Sequence, residues 1–167
     1  RIETILPAYN RAEVERALCK AHPYEEPAYD FYQLNNVWSQ VGAGIVGTLP
    51  EPVAETDFLK KVKQTFEVGC VMHSRQTGRL IQKVALCGGS GAFLLPNAVR
   101  ANADVFITGE VKYHDYFFYE KDILIAAIGH YESEQYTKEI FYSILKEMFP
   151  RLTVEMTRVN TNPIKYL

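Results

Sequence analysis

Hydrophobic residues in the first seventy positions alternate between strand-like and helix-like spacing. Helices are predicted at 10–22, behind the N-cap residue Asn10, and at 53–66, where four apolar side chains share one face: Phe58, Leu59, Val62 and Phe66. Short alternating or aromatic runs predict strands at 1–7, 28–34, 44–49 and 70–73, with a loop at 37–40. The resulting β-α-β-β-α-β order predicts a ferredoxin-like domain over residues 1–78.

In the second half of the chain, the hydrophobic pattern predicts strands that alternate with helices. Strands are predicted at 83–87, 105–108, 123–128 and 153–159, and helices at 92–101, 113–120 and from 132 or 133 to 148. In the last helix an apolar stripe is expected to face inward: Tyr136, Ile140, Phe141, Ile144, Leu145 and Met148. This alternation predicts an α/β domain over residues 79–167, with a largely parallel sheet covered on both faces. The segment 74–78 is the predicted hinge between the two domains.

Composition narrows the class of protein. The 167 residues are 47% hydrophobic and 23% charged, with a formal net charge of −2, so the basic face of a nucleic-acid binder is not expected. No apolar run approaches the roughly 18 residues of a membrane span, and no signal peptide is visible. The three cysteines match no zinc or redox spacing, which favours free thiols in a reducing cytoplasm.

The first residues suggest that the chain is part of a longer protein. The sequence opens on Arg1 and reads as a strand from the second residue onward. Since an intact protein rarely begins inside an element, we expect a C-terminal fragment that exposes core surface and therefore self-associates.

Polar motifs follow three of the predicted strands of the second half. Ligands of parallel sheets bind beyond the carboxyl ends of the strands, so these loops would face one crevice if their strands are neighbours. The motifs are Cys87-Gly88-Gly89-Ser90-Gly91, Thr108-Gly109-Glu110 and Gly129-His130-Tyr131-Glu132-Ser133-Glu134.

The third motif carries the sharpest chemical signal. His130 and Glu134 are four residues apart at a helix start, which places their Cβ atoms roughly 6 Å apart on one face. An imidazole and a carboxylate at that distance can share one metal ion or bracket two. The alternative is structural, because the helix dipole alone favours a glutamate in a first turn and a lone histidine often belongs to the core.

Glu110 and His114 form a second candidate pair after the strand that ends at Thr108. They could support metal ligands or act as general acid and base in a pocket. A solvated helix start explains the same residues equally simply.

The glycines of the first motif could present backbone N–H groups to an anion. Gly88, Gly89 and Gly91 lie in a predicted strand-to-helix turn, but the P-loop lysine is missing and Leu94 stands where a dinucleotide fingerprint needs its third glycine. A tight turn without a ligand is the alternative.

Four motifs together resemble the Nif-three-like family, the NGG-one-interacting factor family that includes type 2 homologues of GTP cyclohydrolase 1. The resemblance covers essentially the whole chain. The similar segments are Ala21 to Asp30, Ala85 to Gly91, Ala103 to Glu110 with Tyr113-His114, and Gly129 to Glu134, followed by Asn160-Thr161-Asn162-Pro163.

This resemblance implies a specific architecture and metal site. The resemblance implies a toroidal homohexamer with two divalent metal ions per subunit, of zinc, iron or manganese. Residues 1–78 would be an inserted domain that resembles the PII and CutA proteins, and 79–167 the C-terminal half of a three-layer core. His130 and Glu134 fall on family ligands, and the remaining ligands would belong to an N-terminal half that this sequence lacks.

The function implied by the resemblance is that of a metal-dependent hydrolase, similar to GTP cyclohydrolase, with a small molecule or nucleotide as ligand. Glu110 and His114 would then be pocket groups. The alternative is a regulatory or ligand-binding module, or an oligomeric scaffold, with a metal site that is not catalytic.

Overall fold

The computed structural model describes residues 1–36 and 41–165, so the loop predicted at 37–40 lies outside the described residues. The chain divides into two compact units, Arg1–Ser39 and Gln40–Leu167. This division differs from the predicted hinge at 74–78.

Residues 1–36 of the first unit contain one α-helix, α1 (Arg11–Ala21), behind a short 3₁₀ turn at Ala8–Asn10. The strands predicted at 1–7 and 28–34 are absent. A strand requires a hydrogen-bonded neighbour, and the aromatic side chains of the second segment contact α1 instead. The Tyr29 hydroxyl donates to the Glu15 carboxylate, and the Arg11 guanidinium lies 4.5 Å from the centre of the Phe31 ring.

The second unit is built on a mixed five-stranded sheet. Its strands are β1 (Ile45–Ala54), β2 (Met72–His73), β3 (Leu80–Cys87), β4 (Val105–Thr108) and β5 (Leu124–Ala127). Their spatial order is β1-β3-β4-β5-β2. The three central strands are parallel, and both edge strands pair antiparallel with their neighbours.

This pairing changes the interpretation of the first seventy residues. The described structure does not form the predicted β-α-β-β-α-β unit, because β1 and β2 are edge strands of the later sheet and the other two strands are absent. β1 also continues past its predicted end, through Pro50 and Pro52. An edge strand tolerates proline, and the register of β1 against β3 shifts between Thr48 and Val53.

Helices cover both faces of the sheet, as the alternating pattern predicted. On one face α2 (Glu55–Thr65) buries Phe58, Leu59 and Val62 against the sheet. On the other face lie α3 (Leu95–Arg100) and α4 (Tyr113–Tyr119), packed around buried Leu95 and Phe106. All four residues of β4 and all four of β5 are buried, so the middle of the sheet is the centre of the core.

The end of the chain departs from its predicted elements. The predicted long helix is two helices, α5 (His130–Glu134) and α6 (Thr137–Met148), and the strand predicted at 153–159 is not formed. The apolar stripe of α6 is not buried as predicted, since Ile140 and Phe141 are about 60% exposed and no residue of this helix is fully buried in the described structure. No helix in the described ranges has the length and apolarity that crossing a bilayer requires.

Candidate metal centre

The carboxyl ends of the three parallel strands lie side by side. Cys87 is opposite Thr108, and Thr108 is opposite Ala127. The loops that follow these residues therefore meet at one edge of the sheet, as expected for neighbouring strands. The backbone N–H groups of Gly109 and Glu110 both donate to the carbonyl of Gly89, at 3.0 and 3.1 Å, and join two of the loops directly.

His130 and Glu134 face each other on α5. The distance between His130 Nε2 and Glu134 Oε2 is 3.3 Å. Their side chains are 45% and 53% exposed, so both remain accessible from solvent. The spacing in the sequence therefore predicted a real contact between an imidazole and a carboxylate.

Glu110 supports the same imidazole from its other side. Its Oε1 lies 3.1 Å from His130 Nδ1, and the hydroxyl of Ser90 donates to its Oε2 at 2.5 Å. The hydrogen bond from Ser90, together with the smaller effect of His130, lowers the pKa of the Glu110 carboxyl. Three successive polar contacts thus link Ser90 to Glu110, Glu110 to His130, and His130 to Glu134. Ser90 was missed in the sequence, where its position inside the glycine turn was the available signal.

The glycine turn packs closely against this pair. Gly89 has φ +60°, and a Cβ at this position would lie 2.4 Å from Glu134 Oε1 and 3.5 Å from His130 Cε1. The absence of a side chain at Gly89 therefore makes room for the Glu134 carboxylate where it stands.

The amides of the turn are largely committed inside the protein. Gly89 N–H donates to Ser133 Oγ at 2.8 Å, and Gly91 N–H donates to Thr108 Oγ1 at 3.1 Å. Two of the three glycines proposed for anion binding therefore point their N–H groups away from a ligand. For Gly89 and Gly91 the structure favours the alternative of a tight turn, and anion binding by Gly88 stays a prediction.

His114 lies apart from these contacts. It is exposed on the first turn of α4, and its ring packs edge-on against Tyr113 with centroids 5.5 Å apart. Within residues 1–36 and 41–165, no hydrogen bond or ion pair joins it to Glu110, His130 or Glu134. A pocket role for His114 stays a prediction.

Cys87 ends β3 next to the site but is buried as a neutral thiol. Its Sγ lies 3.1 Å from the carbonyl oxygen of Ala43. Burial raises the pKa of Cys87, and the nearby negative charge of Glu134 raises it further. A thiol held in this state is a poor metal ligand and a poor nucleophile.

The donor geometry of the pair fits a divalent metal ion. Two ligands at about 2.0–2.1 Å from one tetrahedral metal are separated by roughly 3.3 Å, which is the separation of His130 Nε2 and Glu134 Oε2. A carboxylate that accepts the Nδ1–H of a histidine leaves Nε2 as the coordinating nitrogen. In the part of the chain that the structure describes, no group of three or more His, Cys, Asp or Glu side chains is placed to hold one ion. The described residues therefore offer two candidate ligands, His130 and Glu134, and one carboxylate in contact with the imidazole.

Known proteins are similar to this chain in sequence and in fold over nearly its whole length. A Halalkalibacterium halodurans protein named GTP cyclohydrolase 1 type 2 homolog is 36% identical over 175 residues, which cover 100% of this chain and 46% of that protein. A protein of the same name from Staphylococcus aureus strain COL is 30% identical over 172 residues, again with 100% and 46% coverage. The chain thus spans 46% of the length of both relatives.

Two solved structures are also similar to this chain over nearly its whole length. The crystal structure of Staphylococcus aureus protein SA1388 matches with a TM-score of 0.77 and 27% identity, over 99% of this chain and 55% of that one. The Bacillus cereus protein related to NIF3 matches with a TM-score of 0.74 and 28% identity, over 97% and 46%. The sequence model of the Duf34/NIF3 (NGG1p interacting factor 3) family matches residues 4–163. This chain therefore belongs to the Duf34/NIF3 family.

Proposed function

We propose that this chain supplies one part of a dinuclear metal centre in a metal-dependent hydrolase. His130 Nε2 and the Glu134 carboxylate would be metal ligands, and Glu110 would fix the orientation of the imidazole. The observation that carries the proposal is the 3.3 Å separation of the two donor atoms, combined with a carboxylate 3.1 Å from the opposite ring nitrogen. Paired ligands with such a supporting carboxylate are typical of metal sites in proteins.

In this proposal some side chains bind the metal ion and others orient those ligands. Glu110 accepts the Nδ1–H of His130 and so presents Nε2 to the ion, while Ser90 holds Glu110 in place. The exposed side chains of the pair leave room for a substrate at the crevice. A bound divalent ion, which we propose to be zinc, iron or manganese, would lower the pKa of a water molecule and polarise the substrate.

The other ligands are proposed to come from the part of the relatives that this chain does not match. Two protein ligands rarely hold a divalent ion well, since three or four are usual. The matched relatives are more than twice as long as this chain, because it covers 46% of each. In this view residues 41–165 form the C-terminal half of the core, and the unit at Arg1–Ser39 belongs to the PII/CutA-like insert.

A homo-oligomer, with a hexamer as the specific proposal, would cover apolar surface that this chain exposes. On α6, Ile140 is 59% exposed, Phe141 60% and Met148 65%. Patches of this kind mark interaction surfaces in soluble proteins. The three free cysteines, Cys19, Cys70 and Cys87, are compatible with the reducing cytoplasm that we propose as the location.

The proposed substrate is a nucleotide or a related small molecule. Support comes from the name of the relatives, GTP cyclohydrolase 1 type 2 homolog, whose chains this one covers by 46%. The test uses the natural full-length polypeptide, loaded with zinc, iron or manganese and offered a nucleotide panel that includes GTP. Hydrolysis should be lost in His130→Ala and kept in His73→Ala, where the replaced histidine is exposed on β2.

A metal site without catalysis is the second candidate. Full-length protein that binds metal through His130 but hydrolyses nothing on the panel would support this regulatory or scaffold role over the hydrolase. Full-length protein that binds no metal would contradict both.

A further inference from the structure

The helix that carries the two proposed ligands is too short to hold its own shape. α5 has five residues, and isolated helices shorter than about 12–15 residues are marginal in water. Its position must therefore be fixed from outside. On the face of His130 and Glu134, Ser133 Oγ accepts the Gly89 N–H at 2.8 Å and ties the helix to the glycine turn.

The opposite side of α5 is held by a residue near the end of the chain. Glu132 is 7% exposed, and its Oε1 accepts a hydrogen bond of 2.9 Å from Asn162 Nδ2. A buried carboxylate is costly unless it is hydrogen-bonded, so this contact fixes where Glu132 can stand. Glu132 is flanked by the two ligands, two residues from each, and any movement of it moves them as well.

Asn162 is itself locked by its neighbours. Its backbone N–H donates to Asn160 Oδ1 at 2.8 Å, and its own Oδ1 accepts the N–H of Ile164 at 3.0 Å. Because the amide oxygen is used in this turn, the amide nitrogen is the atom that faces Glu132. The segment thus presents a donor of fixed direction to a buried acceptor.

We infer that Asn162 is a positioning residue, which acts through Glu132 to hold α5 and thereby the His130–Glu134 pair in ligand geometry. The inference rests on the proposed metal centre. It assigns a role in that centre to the carboxyl-terminal segment, which supplies no ligand itself.

Asn162→Asp in the full-length protein tests the inference, because it places a second carboxylate against Glu132. The matched control is Asn160→Asp, which adds the same charge two residues away and keeps an acceptor for the Asn162 N–H. The double variant Glu132→Gln/Asn162→Asp reverses donor and acceptor and should restore the hydrogen bond. Amide hydrogen exchange of metal-free protein reports on α5, and metal titration reports on the ligand pair.

Asn162→Asp should speed exchange in residues 130–135 about tenfold, as for the loss of one hydrogen bond to a charged group. It should also weaken metal binding roughly 10- to 100-fold, the range for residues that orient ligands. The Asn160→Asp control and the double variant should both stay close to wild type. Unchanged exchange and affinity in Asn162→Asp, or a double variant that recovers neither, would overturn the inference.

Two further outcomes are decisive. Exchange that accelerates equally in β3, β4 and β5 would show a general structural role and would also overturn the inference. Wild-type protein that binds no metal would overturn the proposed metal centre, whereas the exchange data would still decide whether Asn162 holds α5.

Discussion

Replacement of Gly89 by alanine should weaken metal binding strongly and lower the melting temperature only slightly. Gly89 has φ +60°, and its absent Cβ would lie 2.4 Å from Glu134 Oε1. Ordinary van der Waals contact begins at 3.4 Å, so the carboxylate oxygen must retreat by about 1 Å. Gly78 is the matched control, because it has φ +78° and open space around the same position.

Both substitutions place an L-residue at a positive φ, but only the one at Gly89 also brings a Cβ against the Glu134 carboxylate. The left-handed conformation costs an L-residue about 1–2 kcal/mol, so both full-length variants should melt roughly 1–3 °C below wild type. The contact at Gly89 adds little to this loss, because the end of a flexible, half-exposed side chain can move away. A ligand displaced by about 1 Å no longer fits the site, however, and the affinity for metal should fall about 100-fold.

The assay is thermal unfolding together with metal titration on full-length wild type, Gly89→Ala and Gly78→Ala. Similar melting temperatures for the two variants, with weak metal binding only in Gly89→Ala, are expected. Equal metal affinity in both variants would refute the reasoning, because Glu134 would then not need the space at Gly89.

Three further predictions concern single side chains, with Glu51→Gln as the control for both glutamate variants because Glu51 is exposed on β1. Glu110→Ala removes the acceptor of His130 Nδ1 and should weaken metal binding roughly 10- to 100-fold in a titration. Glu55→Gln should lower the free energy of unfolding by about 1–3 kcal/mol in urea, since the buried carboxylate accepts three hydrogen bonds from residues 77 and 78. Cys87 should react with iodoacetamide at neutral pH far more slowly than the two exposed cysteines, because burial raises its pKa and covers it.

The sequence predicted which loops meet at this edge of the sheet, because the determinants of their meeting are local. Parallel strands end at one edge of a sheet, and this rule predicts that the loops at 88–91, 109–110 and 129–134 lie together, as they do in the structure. The four-residue spacing of His130 and Glu134 then predicted their contact.

Contacts between distant parts of the chain could not be predicted in the same way. Ser90 reaches Glu110 across 20 residues, and Asn162 reaches Glu132 across 30. Neither contact has a periodic pattern, because each depends on where the sheet places two separate loops. Only the residue types, polar side chains inside turns, were visible in the sequence.

The errors in the fold have one physical origin. Alternating side chains at 1–7 and 153–159 fit a strand, but a strand forms only beside a partner, and none is present for these segments in the described ranges. β1 shows the converse, since it continues through two prolines because β3 is beside it. The α6 stripe also fits burial, although no residue of this helix is fully buried in the described structure.

The central claim is that His130 and Glu134 hold metal, and the metal content of the full-length polypeptide tests it most directly. Inductively coupled plasma mass spectrometry should be applied to wild type, His130→Ala, Glu134→Ala and the control His73→Ala after purification without chelators. We expect two divalent ions per subunit in wild type and His73→Ala, and a clear loss in the other two variants. Wild-type protein without bound metal, or equal metal content in all four proteins, would contradict it.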